Sequence, residues 1–160
     1  MDRVGLVTLR EELAADGRIL TASAGRLDGF LASQLTGRLE ASAFEIARCY
    51  NVIEQAALRI ARSFQNHFEQ QTGWHDALLR RMALDIPGVR PALFPLALKP
   101  ALDGVRRFRP LVQDAYDVEL REDRVVEAVR AVQLVAHEWP RLCGDFTRGV
   151  AEANGWPLPA

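Results

Sequence analysis

The chain has 160 residues, enough for one domain whose core needs neither disulfides nor metals. Hydrophobic residues make up 49% and charged residues 26%, a composition that excludes a disordered chain. The net charge of −1 excludes a strongly basic nucleic-acid coat protein, so any RNA or DNA contact has to come from a local patch.

In chain order, Met1-Asp2-Arg3-Val4-Gly5-Leu6 lacks the apolar run of a signal peptide, and no stretch approaches the roughly 18 apolar residues of a membrane span. A cytoplasmic protein is expected. Thr8-Leu9-Arg10-Glu11 has the form of a capping box, which predicts a first helix starting there. Gly17, Gly25 and Gly29 each weaken a helix by about 1 kcal/mol relative to Ala, so one or two helices are expected up to about Leu35. Ile46, Tyr50, Ile53, Ala57, Ile60 and Phe64 then draw an apolar seam at helical spacing, predicting a long helix from about Leu39 to Gln70 that ends near Thr72-Gly73. A shorter helix is predicted over Trp74 to Leu84, closed by Pro87-Gly88. Pro91 to Pro100 should be irregular or broken helix.

Leu98, Ala101, Val105, Phe108, Val112 and Ala115 predict another core-facing helix. Asp123 stands where the next N-cap belongs, and Val125, Val129, Val132, Ala136 and Trp139 form the last seam, with a kink or split expected at Pro140. Residues 151–160 are expected to form an extended tail. No stretch shows the alternation of strands. The chain therefore reads as a single all-α domain, an up-and-down bundle of about five helices.

The usual chemical motifs are missing. There is no phosphate-cradling loop, and His67, His75 and His137 are not spaced as metal ligands with one another or with the cysteines. No metal and no cofactor is expected. Cys49 and Cys143 read as buried free thiols. Glu11-Glu12 and Glu122-Asp123 are expected at helix starts, where the dipole explains them. Trp74 and Trp139 read as core or interface anchors.

One stretch does not read as ordinary helix. Arg106-Arg107-Phe108-Arg109-Pro110-Leu111-Val112-Gln113-Asp114-Ala115-Tyr116 concentrates arginines, an internal proline and a tyrosine at the end of a core-facing helix. Proline inside a helix costs about 3 kcal/mol. A kink beside Arg106, Arg107 and Arg109 suits a phosphate site, and it also suits an ordinary helix end. Arg109 and Tyr116 are seven apart and share a face.

At this point the sequence resembles the HEPN superfamily, and within it the HepT-like proteins paired with minimal nucleotidyltransferases. The resemblance runs through Leu9-Arg10-Glu11-Glu12-Leu13, Cys49-Tyr50-Asn51-Val52-Ile53-Glu54 and Gly73-Trp74-His75-Asp76-Ala77-Leu78-Leu79. It continues through Met82-Ala83-Leu84-Asp85-Ile86-Pro87-Gly88-Val89-Arg90-Pro91, the Arg109 segment with Tyr116, and Glu119-Leu120. It implies a dimerising helical bundle, a homodimer or higher even oligomer, with paired motifs facing each other across a cleft. Active relatives are metal-independent RNA endonucleases used as toxins. Their signature is Arg, four to six residues, then His, often with Tyr two residues later, and the partner nucleotidyltransferase attaches AMP to that Tyr.

Laid onto this chain, the resemblance assigns the motif Arg to Arg109 and the modified Tyr to Tyr116, and the neighbouring Arg106 and Arg107 are phosphate-binding candidates from the arginine cluster itself. The position expected to hold His is Asp114. Imidazole, with a pKa of about 6.5, both takes and gives protons near neutrality, whereas an ordinary Asp at about 3.9 is already ionised and is a poor acid. Two other Arg-to-His spacings, Arg62 to His67 and Arg130 to His137, lack the following Tyr.

Three readings follow. The first is an RNA-cleaving HepT-like toxin neutralised by a cognate nucleotidyltransferase. The second is a non-catalytic, antitoxin-like binding partner of that enzyme, and the third is an unrelated helical dimer whose arginines pair with Glu54 or Glu119.

Overall fold

The computed structural model describes residues 1–64, 73–110 and 120–157. These residues form five α-helices: α1 (Arg3–Ala32), α2 (Arg38–Ser63), α3 (Trp74–Met82), α4 (Lys99–Arg106) and α5 (Glu122–Ala153). A 3₁₀ turn, Leu96–Leu98, leads into α4. The described residues contain no strand, only one bridge between Ile86 and Arg90. None of their helices is long and apolar enough to cross a membrane.

Each helix buries the seam its sequence announces. On α2, Ile46, Tyr50, Ile53, Ala57 and Ile60 are all buried, and on α5 so are Val125, Val129, Val132, Ala136 and Trp139. α1 runs antiparallel to α2, as its ion pairs show: Arg26 reaches Glu45 at 2.6 Å, and Asp16 reaches Arg59 at 2.5 Å. Its other side packs on α5, where the Trp139 indole donates to the Leu13 carbonyl at 2.9 Å and Gln133 donates to Asp28 at 2.5 Å. α2 and α5 lie side by side in the same direction, with Arg38 on Glu122 at one end and Phe64 edge-on to Phe146 at the other. α4 covers α2 and α5, and α3 packs against α2 and α4.

Several boundaries differ from the sequence reading, each for a local reason. α1 begins at Arg3, because the Asp2 carboxylate caps the Gly5 N–H at 2.8 Å. Thr8 therefore lies inside the helix, its hydroxyl donating back to the Val4 carbonyl, and Glu11-Glu12 are well past the first turn. Gly17, Gly25 and Gly29 leave α1 unbroken. Two of them are exposed, while Gly17 is buried beneath Trp139.

The α2 helix closes at Ser63, short of Gln70; the remainder of that expectation, Gln65 to Thr72, lies outside the described residues. α3 stops at Met82, short of Leu84. The buried Arg90 guanidinium closes its end, donating to the carbonyls of Arg81, Leu84 and Pro91.

α5 starts at Glu122, with Arg121 at the cap and Asp123 inside the first turn rather than at the N-cap. It passes Pro140 without splitting. Residues 151–153, expected in the tail, form its last turn. Gly155, at φ +66°, then lets the Trp156 N–H return to the Ala151 carbonyl and the Gly155 N–H to that of Glu152. Those two bonds make a Schellman closure that lays Trp156 against the core.

Cys49 and Cys143 are buried free thiols, as expected. Burial pushes the first up to about 11 and the second up to about 12, so both stay protonated.

Candidate functional site

The arginine-rich segment is built differently from a kinked helix. α4 ends at Arg106, and Arg107–Phe108 form a turn in which the Phe108 N–H reaches the Val105 carbonyl. Helical backbone resumes at Arg109 and Pro110. Pro110 thus sits in a first helical turn, where its missing N–H costs nothing, and not inside a continuing helix. Phe108 is buried and anchors the turn, Arg107 is exposed, and Arg106 and Arg109 are half-buried. Asp114 and Tyr116 lie outside the described residues, as do His67 and Glu119.

Four residues of α2 and α3 gather near this cationic end. Tyr50 and Glu54, one turn apart on α2, are both buried. Gly73, at φ +83°, turns the chain into α3 and sets Trp74 and His75 in its first turn. The His75 Nδ1 is hydrogen-bonded to the Glu54 carboxylate. Trp74 lies against the other side of the imidazole, with ring centroids 3.8 Å apart and planes inclined by 33°. Tyr50 meets the same imidazole edge-on at 6.4 Å.

Burial, and then the nearby Glu54 carboxylate, hold the Tyr50 phenol well above its ordinary pKa, while Arg106 and Arg109 are close enough to oppose them. The hydroxyl stays protonated at neutral pH, and it is buried with no hydrogen bond of ordinary geometry.

A ladder of ion pairs fixes α3 against α4. Asp76 accepts from Lys99 at 2.7 Å and from Arg80 at 2.8 Å. Lys99 also donates to Asp103 at 2.6 Å, and Asp103 accepts from Arg106 at 3.3 Å. The hydrogen bond from Lys99 holds the Asp76 carboxyl below its ordinary pKa, and those from Asp103 and Asp76 raise Lys99. His75 precedes Asp76 directly, so the ladder also fixes the imidazole relative to the arginines.

A carboxylate-held imidazole beside guanidinium groups has the components to move a proton and to steady an anion. The described residues hold no group of three His, Cys, Asp or Glu side chains able to bind a metal ion. Glu54, a candidate arginine partner in the third reading alone, pairs with His75. Arg130 and His137 are exposed on α5, and Arg62 is exposed at the end of α2. A separate groove of about 530 Å³ between α1 and α5, lined among others by Leu13, Gly17, Trp139 and Cys143, shares no residue with the cluster.

The sequence reading had quoted Tyr50, Glu54 and His75 without giving them a joint role. Spacing cannot pair them, because His75 and Glu54 are 21 residues apart on different helices.

A family model described as HepT-like protein matches residues 41–150, from the first turns of α2 through most of α5. No curated protein and no solved structure matches the chain. The matched span is more than half of the chain and includes the whole cluster, so the reading as an unrelated helical protein is set aside. The chain belongs to the HepT-like family of the HEPN superfamily.

Proposed function

We propose that this HepT-like protein is the toxin of a two-gene module and cleaves RNA without a metal, acting in the cytoplasm as a homodimer or higher even oligomer. The observation that carries the reading is the Arg-x4-Asp-x-Tyr pattern at Arg109, Asp114 and Tyr116, within the family-matched span and beside Arg106 and Arg107. In this reading the guanidinium of Arg109 steadies the charge that develops on the scissile phosphate as the adjacent 2′-hydroxyl attacks. Arg106 and Arg107 hold the RNA backbone, which the overall charge of −1 would not attract. A cognate minimal nucleotidyltransferase silences the toxin by attaching AMP to Tyr116, which places negative charge where a phosphate would bind.

A second reading is favoured by Asp114, which stands where an active relative has His. A carboxylate there repels phosphate, and the chain would then serve as a non-catalytic, antitoxin-like partner of the nucleotidyltransferase.

Incubating purified protein with RNA separates the two. The toxin reading expects cleavage by the wild type and a loss of about 10²-fold or more in Arg109→Ala. No cleavage by the wild type, but cleavage by Asp114→His, would establish the second reading. RNA left intact by both would refute the nuclease altogether.

A further inference from the structure

The geometry points to His75, oriented by Glu54, as the proton-transfer residue of the Arg109 site, supplying the imidazole that Asp114 does not. The inference rests on the ribonuclease reading above and deepens it.

Three observations carry it. First, the imidazole is held on more than one side. Its Nδ1 is bonded to the Glu54 carboxylate, Trp74 lies against its face, and the Tyr50 ring meets it edge-on. With Nδ1–H donated to the carboxylate, Nε2 is the nitrogen left to take and give a proton. His75 remains partly exposed while Glu54 is nearly sealed, the side chains being 18% and 5% accessible. Second, the Lys99 ladder from Asp76 to Asp103 and Arg106 ties the start of α3 to the end of α4 that leads into Arg109. Third, Tyr50 contacts the same imidazole from α2, and its phenol is held above its ordinary pKa by burial and by Glu54, with Arg106 and Arg109 opposing.

The chemistry balances with one histidine. Nε2 takes the proton from the 2′-hydroxyl as O2′ forms its bond to phosphorus. The P–O5′ bond breaks, and the departing 5′-oxygen receives that proton from the imidazolium. The products are a 2′,3′-cyclic phosphate and a 5′-hydroxyl. Glu54 does not touch the RNA; it is a positioning residue that sets the ring orientation and stabilises the imidazolium. Tyr50 remains a neutral phenol, and among the described residues Glu54 is the carboxylate bonded to the ring. Among the described residues, the charged groups nearest it in the ladder are Asp76 on α3 and Lys99, Asp103 and Arg106 on α4.

The test is a single-turnover RNA cleavage assay across pH, with melting curves for each protein. His75→Gln keeps a donor for Glu54 but cannot relay a proton, so cleavage is expected to fall by about 10²- to 10⁴-fold with the helical fold retained. Glu54→Gln loses the carboxylate that orients the ring, so single-turnover cleavage at saturating RNA is expected to fall by about 10-fold or more while the half-saturating RNA concentration is unchanged. A purely structural pair would shift the melting curves and leave the rate of the folded protein in place. Wild-type cleavage by His75→Gln, in a preparation that Arg109→Ala inactivates, overturns the inference and leaves the nuclease reading standing. Should His75→Gln fail to fold, an unchanged single-turnover rate in Glu54→Gln overturns it equally. Absence of cleavage by the wild type removes the parent reading and this one together.

Discussion

Gly17 and Gly25 lie eight residues apart on α1, and the same change to alanine is expected to act on them with opposite signs. A methyl group at Gly17 would stand 2.8 Å from Cδ1 of Trp139, closer than packed carbons approach. The indole has little room to retreat. It is 2% exposed, and its Nε1 donates at 2.9 Å to the Leu13 carbonyl, one turn before Gly17. Alanine gains about 1 kcal/mol of helix propensity at either site. At Gly17 that gain is set against overpacking of about 1–3 kcal/mol and a strained indole bond of about 1 kcal/mol. The balance is a loss of about 1–3 kcal/mol. At Gly25 nothing lies within 4 Å of the added methyl, and the propensity gain stands alone. One kcal/mol moves the melting temperature of a chain this size by about 2–4 °C. Circular dichroism melts should therefore place Gly17→Ala roughly 2–12 °C below the wild type and Gly25→Ala about 2–4 °C above it. Gly17→Ala melting at or above the wild type would refute the argument that this glycine exists to admit the indole.

Acid should weaken the α1–α2 contact through Glu45. Burial works to raise its carboxyl, but hydrogen bonds from Arg26 and Ser23, with the charges of Arg26 and Arg48, overcome it and hold it below the ordinary value. A depressed folded pKa contributes stability that is present above the unfolded value and lost as pH falls through the folded one. Urea midpoints should accordingly drop below about pH 4, and less steeply in Glu45→Gln; equal slopes in the two proteins would remove Glu45 from the explanation. The start of α1 is checked by two alanine variants. Asp2→Ala, which removes the cap on Gly5, should cost about 1 kcal/mol. Thr8→Ala, inside the helix and exposed, should be neutral or slightly stabilising, and the reverse ranking in chemical denaturation would restore Thr8 as the cap.

The candidate site was partly legible before any coordinates. Arg109, Arg106 and Arg107 stood out because charge clusters beside a proline are visible in one dimension. Their reading as a kinked helix was wrong, because propensity alone cannot show that the chain turns at Arg107–Phe108 and begins a new helical turn at Arg109. His75 was visible as a residue and dismissed for its spacing, which is a test for metal ligands and says nothing about a carboxylate on another helix. Thr8 illustrates the same limit on a smaller scale. A capping box and a mid-helix Thr-x-x-Glu have the same letters, and the Asp2 carboxylate on Gly5 decides between them.

What the sequence determined by itself is the all-helical class and the faces of the long helices. An apolar step of three and four residues is a property of one helix, and burying that stripe is the largest favourable term available to it. The seams of α2 and α5 needed no partner to be read. Only the tertiary structure decided what the helices place together: Trp139 over Gly17, Arg90 on the carbonyls closing α3, and Glu54 on His75. These pairings depend on how α1 meets α5 and how α3 sits across α2 and α4. Contacts between residues far apart in the chain leave no periodic trace in it, so the glycine, the buried arginine and the histidine acquire their roles only once the bundle has closed.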